Sequence, residues 1–224
     1  MQSFETIRAR AAAHKGGDAG LQALLAETTV RTPADIAAIG DDRILSEFSK
    51  RVFQSGFNWK VVENKWPGFE DAFERFDITR NVFMSDDDFD RHLTNKAIIR
   101  HAKKIISVRD NAIFLSDLAK EHGSAAHAIG HWPVEDQVGL LAFMKKRGAR
   151  LGGMTGQYAL RFLGRESFIL STDVVTALIT AGVVDKAPTS KTALAATQAA
   201  FNEWKAQSGL SLTHLSRVLA MSVG

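Results

Sequence analysis

The apolar residues of this chain recur at intervals of three and four from end to end, and nowhere do they alternate with polar residues over the length of a strand. That spacing follows the 3.6-residue turn of a helix rather than the two-residue repeat of a strand, so an all-α fold is expected. Capping chemistry predicts the helix boundaries. Thr32-Pro33 places a hydroxyl before a proline suited to the first turn. Ser85 with Asp88 has the spacing of a capping box, and Pro133 with Glu135 marks another start. Asp41 is expected to cap the segment Ile44–Phe53, and Thr172 the helix that begins near Val174. Asn202–Lys205 leads to a stop at Gly209, and Ser211 opens a last helix through Ala220. Gly16-Gly17 reads as a loop between two N-terminal helices, and His122–His131, rich in Gly, Ala and His, as a connector. Residues 1–40 are expected to form an N-terminal helical extension, and residues 41–224 one domain whose lobes pack as a unit.

Composition removes whole classes of chemistry. With no cysteine, disulfides, iron–sulfur clusters and cysteine-ligated zinc are excluded. The seven histidines are not spaced as a set, so no metal is expected. Asp86, Asp87 and Asp88 read as a solvated helix start, because the loop pattern of a calcium site is missing. The net charge of +3 permits a polyanionic partner without demanding one. No apolar run reaches signal-peptide or membrane-spanning length, so no membrane association and a cytoplasmic location are expected.

The stretch Lys145–Leu178, KKRGARLGGMTGQYALRFLGRESFILSTDVVTAL, carries the functional argument. A basic helix end leads into a glycine-rich turn and then a short helix, predicted over Gln157–Leu163. Glycines allow positive φ and close approach of the backbone to an anion, and a helix N-terminus adds partial positive charge. Gly152, Gly153, Thr155 and Gly156 could therefore hold a DNA phosphate without reading sequence, with Lys145, Lys146, Arg147 and Arg150 around them. The competing reading is a helix–helix turn that needs small residues only for packing. Asp173 stands at the mouth of the next helix, where a carboxylate is also favoured by the helix dipole alone.

LGGMTGQYA resembles the LPGVGxKTA hairpin of the helix-hairpin-helix DNA glycosylases without gaps, and FILSTDVV resembles the segment that carries their aspartate. The resemblance implies a two-lobed all-α glycosylase fold with the hairpin in the middle lobe. It also implies that Asp173 is the catalytic carboxylate. Gly152 stands where that family has proline, and Thr155 replaces its second glycine. Gln157 takes the place of the nucleophilic lysine of bifunctional members, and an amide cannot form a Schiff base.

Further motifs are similar to the DNA-3-methyladenine glycosylase I (Tag) family. They are QSGFNWKVV, WPGFEDAFERFD, KAIIRHAKKIISVRDNAIFL and KKRGARLGG, within residues 41 to 180. This resemblance implies a base pocket that includes Trp59 and Gln54, with Phe57 as the wedge that enters the duplex. Arg51 falls where that family keeps a pocket glutamate, and Glu47, one turn earlier, could pair with it or replace the missing carboxylate. The family's pocket tyrosines have no counterpart, since Tyr158 is the only tyrosine, and its zinc site lacks its cysteines. The function implied is that of a monofunctional glycosylase excising an alkylated, 3-methyladenine-like purine from damaged double-stranded DNA during base excision repair, as a monomer and without a cofactor. The alternatives are a DNA-binding helix-hairpin-helix protein that has lost the chemistry, and a helical scaffold that binds only protein.

Overall fold

The computed structural model describes residues 1–224, and every regular element in it is helical. In chain order these are α1 (Phe4–His14), α2 (Gly17–Ala26), α3 (Pro33–Ala37), α4 (Asp41–Gln54) and α5 (Trp59–Asn64). Next come α6 (Trp66–Ala72), α7 (Ile78–Val82), α8 (Asp86–Thr94), α9 (Ala102–His122) and α10 (Ala125–His131). The chain closes with α11 (Gln137–Arg147), α12 (Met154–Phe162), α13 (Thr172–Thr180), α14 (Lys191–Ser208) and α15 (Leu212–Met221). They form two compact units: residues 1–31, 133–139 and 164–224 make one, and residues 32–132 and 140–163 the other. The break therefore falls after Arg31, not at residue 40, and the N-terminal segment is no separate extension.

The first unit joins the two ends of the chain around one apolar core. Phe4, Ile7, Leu21 and Leu25 from α1 and α2 are buried with Phe168, Leu178, Phe201, Trp204, Leu215 and Leu219. Burying a side chain of this size is worth ~1.5–3 kcal/mol each, which explains why residues 1–31 belong here. The extended segment before α13 has no helix to satisfy its backbone, so side chains do it. Gln137 donates to the carbonyl of Phe168 at 2.7 Å and accepts from its N–H at 2.7 Å. Thr213 and Ser216 of α15 accept from the N–H groups of Ser167 and Ile169, each at 3.0 Å. The start of α13 is thereby fixed. Its cap is Ser171, which accepts from the Val174 N–H, so Thr172, expected as the cap, is the first helical residue.

The second unit is organised around the 21-residue helix α9. Ile105, Val108, Ala112 and Leu115 of α9 are buried with Ile44, Leu45, Phe48 and Val52 of α4, and with Ala159 and Leu160 of α12. Thr32 with Asp35 and Ser85 with Asp88 form reciprocal capping boxes. Asp41 does not cap its own helix, which has Gly40 at that position. Its carboxylate accepts instead from the N–H groups of Ala125 and Ala126, at 3.0 and 2.8 Å. That cap acts on α10, a helix where the sequence suggested a connector. Gly130 lets α10 approach α3, because a Cβ there would lie 2.8 Å from the Pro33 carbonyl oxygen.

Candidate functional site

Helix α4 ends on a loop, Ser55–Asn58, that turns the chain into α5, with Gly56 at φ +75°. Beside this turn, and wholly within the second unit, is a cavity of about 240 Å³. Arg51, Gln54, Ser55, Gly56, Trp59, Met154, Thr155 and Tyr158 line it. Three of the four residues expected in a base pocket therefore meet in one cavity. Glu47 does not line it: one turn earlier on α4, it reaches the pocket only through Arg51, at 2.5 Å. Burial pushes the Glu47 carboxyl above its ordinary value, and the Arg51 guanidinium opposes that shift only in part.

The aromatic wall has a member the sequence did not single out for this role. Tyr158 of α12 packs edge-on against Trp59, with ring centroids 5.2 Å apart, and Phe162 lies 5.9 Å from Trp59 on the same side. The guanidinium of Arg51 sits 3.8 Å above the Phe162 ring and 5.5 Å from Trp59. Trp59 stays 37% exposed, which suits a pocket wall better than a core residue. The i, i+4 spacing of Tyr158 and Phe162 puts them on one face of α12 and is visible in the sequence. That this face meets Trp59 is tertiary information.

Phe57 is 40% exposed at the tip of the loop. Beneath it, Lys104 of α9 is buried, its ammonium 4.3 Å from the Phe57 ring centroid. Lys104 donates to the carbonyls of Phe53 at 3.1 Å and Ser55 at 2.5 Å, which are orphan acceptors at the end of α4. Burial, and then the nearby Arg150, lower its pKa to about 8.

The glycine-rich turn is held from behind by Asn111 of α9, which accepts from the Ala149 N–H at 2.8 Å and donates to the Ala149 carbonyl at 3.1 Å. Nothing in the sequence marked Asn111. Gly153, at φ +60°, caps α12, which starts three residues before the expected Gln157. A second recess of about 290 Å³ is lined by Val52, Ser55, Arg150, Gly152 and Thr155, sharing Ser55 and Thr155 with the first. Lys145 and Lys146 are exposed on the last turn of α11. Arg147 is tied to Glu121 at 2.9 Å. Gly156 is buried, and a Cβ there would lie 2.4 Å from the Leu151 carbonyl oxygen. It serves the close fold of the turn.

Asp173 belongs to the first unit, exposed on the first turn of α13. Because Ser171 takes the capping bond, the Asp173 carboxylate is left without a hydrogen-bond partner. A zinc site like that of the Tag family finds no donors here, since there is no cysteine and no cluster of three His, Asp or Glu side chains placed to hold a metal.

The methyladenine glycosylase family model matches residues 37–146, a segment that contains the pocket residues of α4 and α5 and stops short of the hairpin and Asp173. No curated protein matches. Among solved structures, one from Staphylococcus aureus titled for 3-methyladenine recognition by 3-methyladenine DNA glycosylase I is 18% identical. The match covers 61% of this chain and 80% of that one, with a TM-score of 0.52. A glutamate-to-glutamine variant of the Staphylococcus aureus enzyme is 16% identical, with 68% and 90% covered and a TM-score of 0.52. A tyrosine-to-phenylalanine variant of 3-methyladenine DNA glycosylase I, solved with 3-methyladenine bound, is 19% identical, with 55% and 77% covered and a TM-score of 0.51. These likenesses concern the fold, and the helical architecture is that of the 3-methyladenine DNA glycosylase I structures. Over residues 37–146 the chain is similar to the methyladenine glycosylase family, and its fold is like that of the 3-methyladenine DNA glycosylase I structures.

Proposed function

We propose that this protein is a monofunctional DNA glycosylase that takes a damaged purine out of duplex DNA and hydrolyses its N-glycosidic bond. One observation carries the reading: a cavity walled by Trp59 and Tyr158 shares Ser55 and Thr155 with a recess lined by Arg150 and Gly152 of the hairpin. A flipped base needs an aromatic slot, and its phosphate needs backbone N–H groups and cations nearby. Below the roughly 300–1,000 Å³ of sites for drug-sized ligands, the cavity is of a size for a single base. Phe57, propped on Lys104 beside that slot, is suited to fill the gap the base leaves.

Cleavage builds positive charge on the deoxyribose, and a carboxylate stabilises it and orients the attacking water. Asp173, with no capping duty, is the carboxylate we assign to that task. Gln157 offers no amine, so the product is an intact abasic strand. The second reading, a DNA-binding protein without chemistry, is favoured by the cation of Arg51 at the family's glutamate position. One assay separates the two: duplexes carrying single damaged purines are incubated with the protein, and released base is measured by chromatography. Release of base, with strand breaks appearing only after alkali, supports the glycosylase; duplex binding with no release from any substrate overturns it.

A further inference from the structure

Two buried polar atoms at the pocket, Nη1 of Arg51 and Oε1 of Gln54, lack a hydrogen-bond partner, and their chemistry is complementary. Arg51 is 5% exposed, and its Nη1 finds no acceptor. Its guanidinium is held by Phe162 across its face and by Glu47 at Nε, so what it can still offer is an N–H edge. Gln54 is 1% exposed, and its Oε1 finds no donor. The orientation of that amide is fixed by chemistry, because Nε2 donates to the Glu63 carboxylate at 3.3 Å and a carboxylate can only accept. Arg51 and Gln54 are three residues apart on α4, on one face, and both line the cavity. Leaving such atoms unpaired is costly, so this wall suits a ligand that presents acceptors to Arg51 and a donor to Gln54.

We infer that the pocket selects a neutral purine with a carbonyl at C6, such as hypoxanthine, over a cationic N3-alkylated adenine, Arg51 facing O6 and N7 and Gln54 facing N1–H. An arginine fork matches the O6/N7 pair of a 6-oxopurine. An adenine-derived base presents its amino group where O6 would stand, donor against donor, and its positive charge faces a guanidinium in a partly dry site. Glu47 relieves this only weakly, since burial disfavours its charged form.

The same contact supplies what such a base needs in order to leave. A cationic base departs as a neutral molecule without help, whereas a neutral oxopurine departs with the electron pair of the C1′–N9 bond. O6 takes up part of that negative charge beside Arg51. Water adds its oxygen to C1′ and loses one proton, and the departing base gains one proton. One water is thus divided between sugar and base, and no redox partner is involved.

This inference rests on the glycosylase reading only for the DNA substrate, so it is tested first with free bases. Hypoxanthine and 3-methyladenine are titrated calorimetrically into the purified protein and into Arg51→Glu and Gln54→Leu, with circular dichroism as the check of fold. Wild type should bind hypoxanthine roughly tenfold tighter or more, Arg51→Glu should reverse the order, and Gln54→Leu should reduce the preference several-fold. If Arg51→Glu fails to fold, Gln54→Leu carries the test. Equal binding, a wild-type preference for 3-methyladenine, or an unchanged preference in folded Gln54→Leu would overturn the inference. The second arm uses duplexes containing hypoxanthine or methylated purines: faster release of hypoxanthine supports the inference, and faster release of 3-methyladenine overturns it. A free-base preference with no release from any duplex leaves the pocket assignment standing and removes the glycosylase reading.

Discussion

The Nζ of Lys104 donates to the Ser55 carbonyl at 2.5 Å, so a buried amine of α9 holds the last turn of α4 and the loop that carries Phe57. The pKa of this amine is lowered to about 8 from an ordinary 10.5. Below pH 8 both folded and unfolded chains hold the proton. Between about 8 and 10.5 the unfolded chain holds it and the folded chain has released it, so folding stability from this group rises with pH across that window. Lys104→Met keeps most of the volume and removes the titration. Urea melts at several pH values should show the wild type gaining on the variant as pH climbs from 8 to 10.5. A constant difference would mean that Lys104 titrates as an ordinary lysine. The variant should also bind duplex DNA more weakly, because the Phe57 loop loses its anchor.

Replacing Lys145, Lys146 and Arg150 by alanine should weaken binding to all DNA sequences alike. The slope of log K against log salt should become shallower by about 0.9 for each phosphate that the variant no longer neutralises. Arg147→Ala should change it less, since that guanidinium is already committed to Glu121. Fluorescence anisotropy with a labelled duplex at several salt concentrations measures both, and an unchanged slope in the triple variant would take the hairpin out of the interface.

Asp173→Asn should leave the melting temperature within a degree or two, because Ser171 does the capping and exposed substitutions of this kind move stability by about 0.5 kcal/mol or less. Base release should fall on the order of a hundredfold or more, the scale of other preorganised electrostatic groups. Single-turnover release at saturating protein is the measurement. Wild-type rates in the variant would move the assignment to another carboxylate, with Glu47 the next to test.

Gly156→Ala should be costly although the side chain added is only a methyl. The new Cβ meets a backbone oxygen at 2.4 Å, which no rotamer change relieves. Overpacking of this kind costs about 1–3 kcal/mol. Denaturant unfolding should show that loss together with weaker DNA binding, whereas an unaltered midpoint would show that the turn can shift freely.

The all-α fold was legible because helix periodicity and caps are local. Thr32, Ser85, Gly209 and Ser211 cap or stop helices where their neighbours in sequence said they would. Asp41 shows where locality ends: the residue is a cap, but for α10, some eighty positions away. Ala125–His131 looked like a connector because its helix is short and Gly130 is a poor helix former, yet packing on α3 stabilises it. Around the cavity, the meeting of Arg51, Gln54 and Trp59 was legible through motif resemblance. Tyr158 and Asn111 were not, because each acts across a gap of many residues, on Trp59 and on Ala149, that no spacing rule encodes. The close approach of Gly156 to the Leu151 carbonyl was not legible either, because a glycine kept for an anion and one kept for a neighbouring carbonyl look alike in sequence.

Helix α12 begins at the hairpin glycines and, four residues after Met154, presents Tyr158 to the base cavity. At 1.5 Å per residue its nine residues span only about 13 Å, so the hairpin turn and the wall of the cavity are joined by one short rod. On the proposed function that rod is a gauge: with a phosphate seated at one end, the other end would set how far along the backbone the examined nucleotide must lie. Insertions or deletions inside α12 would shift the reading frame between grip and slot, a change that substitutions elsewhere in the pocket could not repair.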